Sequence, residues 1–300
     1  MSACAGEPEP VTVPAPPPLA QPAEEQPPEE QRLEFESYTE VLELFEQLQY
    51  TPEAWQAGIR EVPRVFVTKI PERWRNETAR QIDIPLKKRL FFRALAPLVL
   101  RANEMILTDR KRLQAAGADD AAWVSELARR YDVEDGDSDE LLARVDIVPV
   151  SLALSQGAEE SGWGTSRFAA EGNALFGQWT WGANAIKPKQ QREKLGNYGI
   201  AAFETPLQSV LAYMHNLNTH RAYSGLRARR ASMRSAGEPI SGRSLAETLD
   251  RYSERGIEYV KSLHAIMRVN RLDPADSAYL AQGPTMWLVP VEAATLPSVQ

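Results

Sequence analysis

Between Ser151 and Trp181 the chain reads SLALSQGAEESGWGTSRFAAEGNALFGQWTW, and this stretch restricts the fold more than any other. Pro149 opens a helix in which Leu152, Ala153, Gln156 and Gly157 fall near one face. The run cannot continue far past Gly162-Trp163-Gly164, because flanking glycines favour a tight turn over another helical turn. Glu159 and Glu160 therefore stand at the rigid end of an amphipathic helix. An unusual density of aromatic and amide side chains follows them.

The rest of the chain is organised around helices. Residues 1–32 contain nine of the 22 prolines and read as a semi-extended Pro/Glu-rich linker, with too little apolar surface to offset chain entropy. From Leu33 apolar residues recur at helical spacing through Tyr38–Phe45, and Thr51-Pro52-Glu53 has the form of an N-cap followed by proline at the first helical position. Val62–Val67 is rich in β-branched residues and reads as a short strand or extended link. Pro85–Ala115 has the pattern of one long helix, with a kink or break expected at Pro97. Shorter helices are predicted over Asp119–Tyr131, Ser138–Arg144, Pro206–His220 and Ile257–Arg268. A further helix is expected from a capping box at Ser244 toward Glu254. Residues 176–203 lack helical period and suit a small β-hairpin lobe. The expected fold is mainly α (α+β): a lysozyme-like helical domain with a small β lobe and an N-terminal helical extension. Its parts would be a linker over 1–32, a helical region over 33–145, a catalytic domain over 146–272 and a tail over 273–300.

Composition narrows the function classes. The apolar and charged fractions, 43% and 25%, are those of an ordinary globular protein. The net charge of −7 lies almost wholly in the first 30 residues, which carry six glutamates and neither lysine nor arginine. The remainder is close to neutral, so charge gives no reason to expect a nucleic-acid partner. No apolar run is long enough for a transmembrane helix, and no secretory apolar segment is visible. The single cysteine, Cys4, excludes an internal disulfide framework. Small residues before it and a proline-rich stretch after it suggest a lipidation site and membrane tether; a residue in a floppy N-terminus is the alternative.

A helix-end carboxyl, flat aromatic faces and amides are the components of a sugar-cleaving site. Breaking a glycosidic bond needs a proton donor for the leaving oxygen and stabilisation of an oxocarbenium-like sugar. The donor must be protonated at working pH, which calls for apolar neighbours. Glu160, between a helix end and Trp163, is placed to meet that condition, but Glu159 is adjacent, and spacing alone does not choose between them.

Ala158-Glu159-Glu160-Ser161-Gly162-Trp163-Gly164-Thr165-Ser166, followed by Asn173-Ala174-Leu175-Phe176-Gly177, resembles the signature of the bacterial N-acetylglucosaminidase family of peptidoglycan hydrolases. Phe176-Gly177-Gln178-Trp179, Ala212-Tyr213-Met214-His215-Asn216-Leu217-Asn218 and Tyr252-Ser253-Glu254-Arg255-Gly256 resemble its Bax-like subfamily more closely. The likeness spans roughly residues 85–272. It implies that Glu160, directly before Ser-Gly-Trp-Gly, is the catalytic acid. Subfamily members tend to carry a glutamate just before the strand that here reads Tyr198-Gly199-Ile200-Ala201, and this chain has glycine there. Glu193 is the nearest substitute, Glu204 lies on the other side, and the substrate's own N-acetyl group is a further carrier of the second role.

Other residues carry two readings each. Trp163, Trp179 and Trp181 are sugar platforms or core. Asn173 holds a loop or meets an acetamido group. Tyr198 and Tyr213 line a cleft or pack, and Phe176 and Gln178 complete the expected substrate-binding set. His215, His220 and His264 lack ligand spacing, so no metal is expected, and no organic cofactor. The basic run Arg221, Arg227, Arg229, Arg230 and Arg234 reads as a solvated helix face, or as a contact for acidic stem peptides or anionic lipid. The expected activity is hydrolysis of the β-1,4 bond after N-acetylglucosamine in peptidoglycan, by a monomer in the periplasm or cell envelope. The rivals are a non-catalytic wall-binding scaffold and a lytic transglycosylase.

Overall fold

The computed structural model describes residues 30–180, 182, 185–188 and 198–291. In chain order the elements are β1 (Glu30–Phe35), α1 (Tyr38–Gln47), α2 (Pro52–Gln56), β2 (Glu61–Val62), β3 (Val65–Val67), a π-turn (Trp74–Thr78), α3 (Ala79–Gln81), α4 (Ile84–Ala115), α5 (Ala121–Arg130), α6 (Ser138–Arg144) and α7 (Val150–Ser161). They continue as α8 (Arg167–Gly172), β4 (Trp179–Thr180), β5 (Ala185–Ile186), β6 (Gly199–Ala201), α9 (Pro206–Thr219), α10 (Ser224–Ser235), α11 (Gly242–Ala246), α12 (Ile257–Asn270), β7 (Tyr279–Leu280) and β8 (Thr285–Pro290). Among the described residues the architecture is mainly α, as the sequence pattern predicts, with three small sheets where one β lobe is expected.

Helix α7 is the axis of the fold. Every residue from Val150 to Ala158 is buried, and α4, α11 and α12 pack around it. Such a helix, buried all round, is enclosed by its neighbours, and its polar side chains need partners inside the protein. Its first turn has an unusual cap. Pro149 offers no side-chain acceptor, and Asp276, from the chain after α12, supplies one instead. Asp276 accepts the Ser151 backbone N–H (2.8 Å) and the Ser151 hydroxyl (2.9 Å). It also accepts the backbone N–H of Gly242 at the start of α11 (2.8 Å), so one carboxylate satisfies orphan donors of two helices.

The two ends of the described chain meet. β8 is the middle strand of a parallel sheet ordered β1-β8-β3, with Phe35 opposite Pro290 and Phe66 opposite Trp287. Arg73 ties the ends of β1 and β8 by donating to the carbonyls of Phe35 and Val291. Residues 30–32, placed in the linker by composition, thus belong to β1, and residues 274–291 supply a helix cap and the strands β7 and β8. Both roles depend on pairing across the whole chain, which local composition does not report.

Three local expectations are corrected. Helix α4 runs unbroken through Pro97; the residues from Leu95 to Leu100 are all buried, and that packing outweighs the missing hydrogen bond. The predicted helix from Ser244 toward Glu254 is the shorter α11, capped by Ser241 and followed by turns; the Ser244 hydroxyl instead accepts from Arg229. The basic run is not a uniformly solvated face. Arg230 is fully buried and Arg227 nearly so. Arg230, Arg234 and Arg110 converge on the buried Asp146, while Arg110 and Arg230 also take the free carbonyls of Leu142, Ala143 and Val145 at the end of α6. Burial pulls the Arg230 guanidinium down to about 10, so it remains a cation at neutral pH, held by the helix-end carbonyls and Asp146.

Candidate active site

Only Glu159 and Glu160 bring α7 toward the surface before its last residue, Ser161, which is buried. The helix closes on Gly162 in the left-handed region, with Trp163 also at positive φ. The backbone N–H groups of Gly162 and Trp163 both return to the Ala158 carbonyl. Ser161 braces the turn by donating to the Gly157 carbonyl (2.5 Å) and accepting from the Gly164 N–H (2.8 Å). The Trp163 ring lies edge-on to Phe91 and Phe92 at 5.9 and 5.2 Å, with the Lys88 ammonium 4.7 Å from its centroid. Its observed contacts are those of a packing residue that fixes the turn.

The two glutamates have different surroundings. Glu159 forms an ion pair with Arg255, whose guanidinium also donates to Ser262. Glu160 is half-buried, with no cation paired to it among the described residues, and the Tyr259 hydroxyl lies within its hydrogen-bonding reach. Burial is the chief reason its carboxyl is pushed above the usual range, and the charge on Glu159 adds to the rise. The Tyr259 hydrogen bond and Arg255 act against it. A carboxyl held protonated beyond its ordinary pH range is the attribute of a general acid.

Tyrosines back this carboxyl. The rings of Tyr252 and Tyr259 stack at 5.4 Å with an interplanar angle of 3°, and Tyr223 lies 5.7 Å from Tyr252. The Tyr252 hydroxyl donates to the Phe176 carbonyl (3.3 Å), which anchors the turn in front of Glu160. At the next residue, Gly177, φ is +61°, and an added Cβ would lie 3.5 Å from Glu160 Oε2. The backbone thus passes directly across the carboxyl and leads through Gln178 to Trp179 on β4.

The expected substrate-binding residues divide by burial. Trp179 is 45% exposed, and its ring lies 5.0 Å from that of Tyr198, which is itself buried. Gln178 is partly buried, and its Oε1 has no partner among the described residues. Phe176 and Tyr213 are buried and stacked at 3.9 Å, beneath the site. Asn173 is buried with its amide committed: Oδ1 accepts from Ile70 N–H, and Nδ2 donates to the carbonyls of Phe203 and Glu204. That is the loop-holding alternative for Asn173. Glu193, Trp181 and Cys4 lie outside the described residues. The rings of His215, His220 and His264 each meet a nearby backbone group.

A largely apolar cavity of about 120 Å³ lies elsewhere, between β1, α1 and α4. No carboxylate lines it, and neither do Glu160 and Trp179, so it is not the reacting site. Sequence reasoning missed Tyr259 and Gln156 as site residues. Gln156 precedes Glu160 by four, and that spacing is a legible signal of a shared helix face.

Comparison with known proteins matches residues 137–272 to the glucosaminidase family, described as mannosyl-glycoprotein endo-beta-N-acetylglucosaminidase. The protein bax of Escherichia coli (strain K12) is 32% identical over 197 residues, which cover 62% of this chain and 70% of that protein. No solved structure gives a significant match.

Proposed function

The chain belongs to the Bax-like N-acetylglucosaminidase family, and from that premise we propose that it hydrolyses the β-1,4 bond after N-acetylglucosamine in peptidoglycan, with Glu160 as general acid. The observation that carries this reading is the half-buried Glu160 carboxyl at the end of α7, raised chiefly by desolvation while its neighbour Glu159 is paired with Arg255. Glu160 gives its proton to the glycosidic oxygen as the bond to C1 breaks, and the released sugar leaves as an alcohol. The resulting carboxylate then takes a proton from the water that adds to C1. The positive charge developing at C1 is met by Glu193 or by the carbonyl oxygen of the substrate's own N-acetyl group.

Trp179 supplies an exposed aromatic face for a sugar ring, supported from below by Tyr198. The substrate would place the enzyme in the cell envelope.

Product analysis by mass spectrometry tests the reading, with peptidoglycan as substrate and with the protein and its Glu160→Gln variant compared. New reducing N-acetylglucosamine ends are expected, falling about 10²–10⁴-fold in the variant. Anhydro-muramic ends would make the chain a transglycosylase. Binding without any released ends would make it a wall-binding scaffold.

A further inference from the structure

Behind Glu160 lies a polar chain that the acid itself does not require. Tyr213 of α9 donates its hydroxyl proton to Gln156 Oε1 (2.7 Å), and Gln156 Nε2 donates to the Tyr259 hydroxyl oxygen on α12 (2.9 Å). Gln156 is fully buried, and Tyr213 and Tyr259 are 0% and 1% exposed. An amide differs from the two hydroxyls it joins in having one end that only accepts and one that only donates. The opposite orientation would have Gln156 Nε2 donating to Tyr213. The buried Tyr213 proton would then have no acceptor among the described residues, a costly arrangement in the interior. The observed orientation satisfies every member. It also fills an acceptor position on Tyr259, whose hydroxyl lies within reach of the Glu160 carboxyl, and so leaves the Tyr259 proton to face Glu160.

We propose that Gln156 is a positioning residue for Glu160: its amide sets the direction of the Tyr213–Gln156–Tyr259 chain and so commits the Tyr259 hydroxyl to donate to the Glu160 carboxyl. The importance of this for turnover rests on Glu160 being the acid. Donation to one carboxyl oxygen favours that oxygen as the acceptor and leaves the other to carry the transferable proton. It also restrains the upward drive of burial, keeping the acid able to release its proton. The charged and titratable groups facing Glu160 are Glu159 on its own helix, Arg255 and Tyr252 from the turns before α12, Tyr259 on α12, Tyr213 on α9 and Tyr223 just after α9. Of these, Tyr213 and Tyr259 hydrogen-bond to the Gln156 side chain.

A double-mutant cycle on the full chain, read by carboxyl-carbon NMR titration of Glu160, tests the proposal without relying on turnover. Tyr259→Phe should raise the Glu160 midpoint by about 0.5–1 unit, the excess of a hydrogen bond to the ionised carboxylate over one to the neutral acid. Gln156→Leu should raise it in the same direction. In the Tyr259→Phe background, Gln156→Leu should then produce no further shift. Gln156→Met, closer in shape, repeats the test if the leucine variant does not fold. An unchanged midpoint in the Gln156 variants, or an equal shift with and without Tyr259, would overturn the proposal. If peptidoglycan is cleaved, the alkaline limb of the kcat/KM profile should move with the midpoint. A cycle that behaves as expected in a protein that cleaves no glycan would leave the polar chain standing and remove the catalytic reading of Glu160.

Discussion

Glu159 and Glu160 are neighbours in sequence, yet a rotation of about 100° around the helix axis gives them opposite electrostatic surroundings. One meets the Arg255 guanidinium, and the other turns into a wall of tyrosines. The second position has a thermodynamic cost that can be measured. The folded-state midpoint of Glu160 is raised, so the native protein holds this proton over a pH range where the unfolded chain has released it. The associated stability is fully present below the unfolded glutamate value of about 4.3 and is lost as pH rises through the folded midpoint. Glutamine imitates the protonated acid, so Glu160→Gln should unfold at a higher temperature than the parent near neutral pH. That advantage should vanish toward about pH 4, and thermal unfolding of both proteins across this range checks it. An equal difference at all pH values would argue against a desolvated acid here. The gain accompanies loss of the proposed activity, a common relation at functional sites.

The elements show which local rules govern and which yield. Thr51 caps α2 through its own side chain, as the Thr51-Pro52-Glu53 pattern predicts, and Ser37, Asp83 and Thr205 do the same for α1, α4 and α9. Helix α7, the one that carries Glu160, is capped by a residue 125 positions away. Asp276→Ala should remove the acceptor for two helix starts at once and cost about 2–4 kcal/mol, measured by denaturant unfolding. Asn at this position retains one acceptor oxygen and should recover part of the loss. A change under about 0.5 kcal/mol, the size of a plain surface substitution, would mean that water replaces the carboxylate at both helix ends. The uninterrupted α4 and the buried Arg230 follow the same logic. Pro97 and a five-arginine run are local signals for a break and a solvated face. Packing around α4 overrides the first, and the carbonyls at the end of α6 with Asp146 override the second.

For the whole molecule, the parallel sheet β1-β8-β3 joins the N-terminal extension and the C-terminal segment across the family-matched region. A chain ending at residue 272 would lack Asp276 and the central strand, leaving β1 and β3 without a partner. Such a truncation should lower Tm by about 10 °C or more and expose strand edges prone to self-association, checked by calorimetry and light scattering. An unchanged Tm would make the terminal segments an accessory to an independent domain. The sequence by itself determined the helical class, the turn after Glu160, the resemblance to the glucosaminidase family and the presence of a β lobe. These reside in contiguous residues, where periodicity, glycine positions and motif order act locally. The tertiary structure decided the different surroundings of Glu159 and Glu160, the Tyr213–Gln156–Tyr259 chain, the trans-acting cap and the sheet that unites the chain's two ends. Each depends on desolvation or on donors and acceptors brought together from distant segments, and only folding creates those environments.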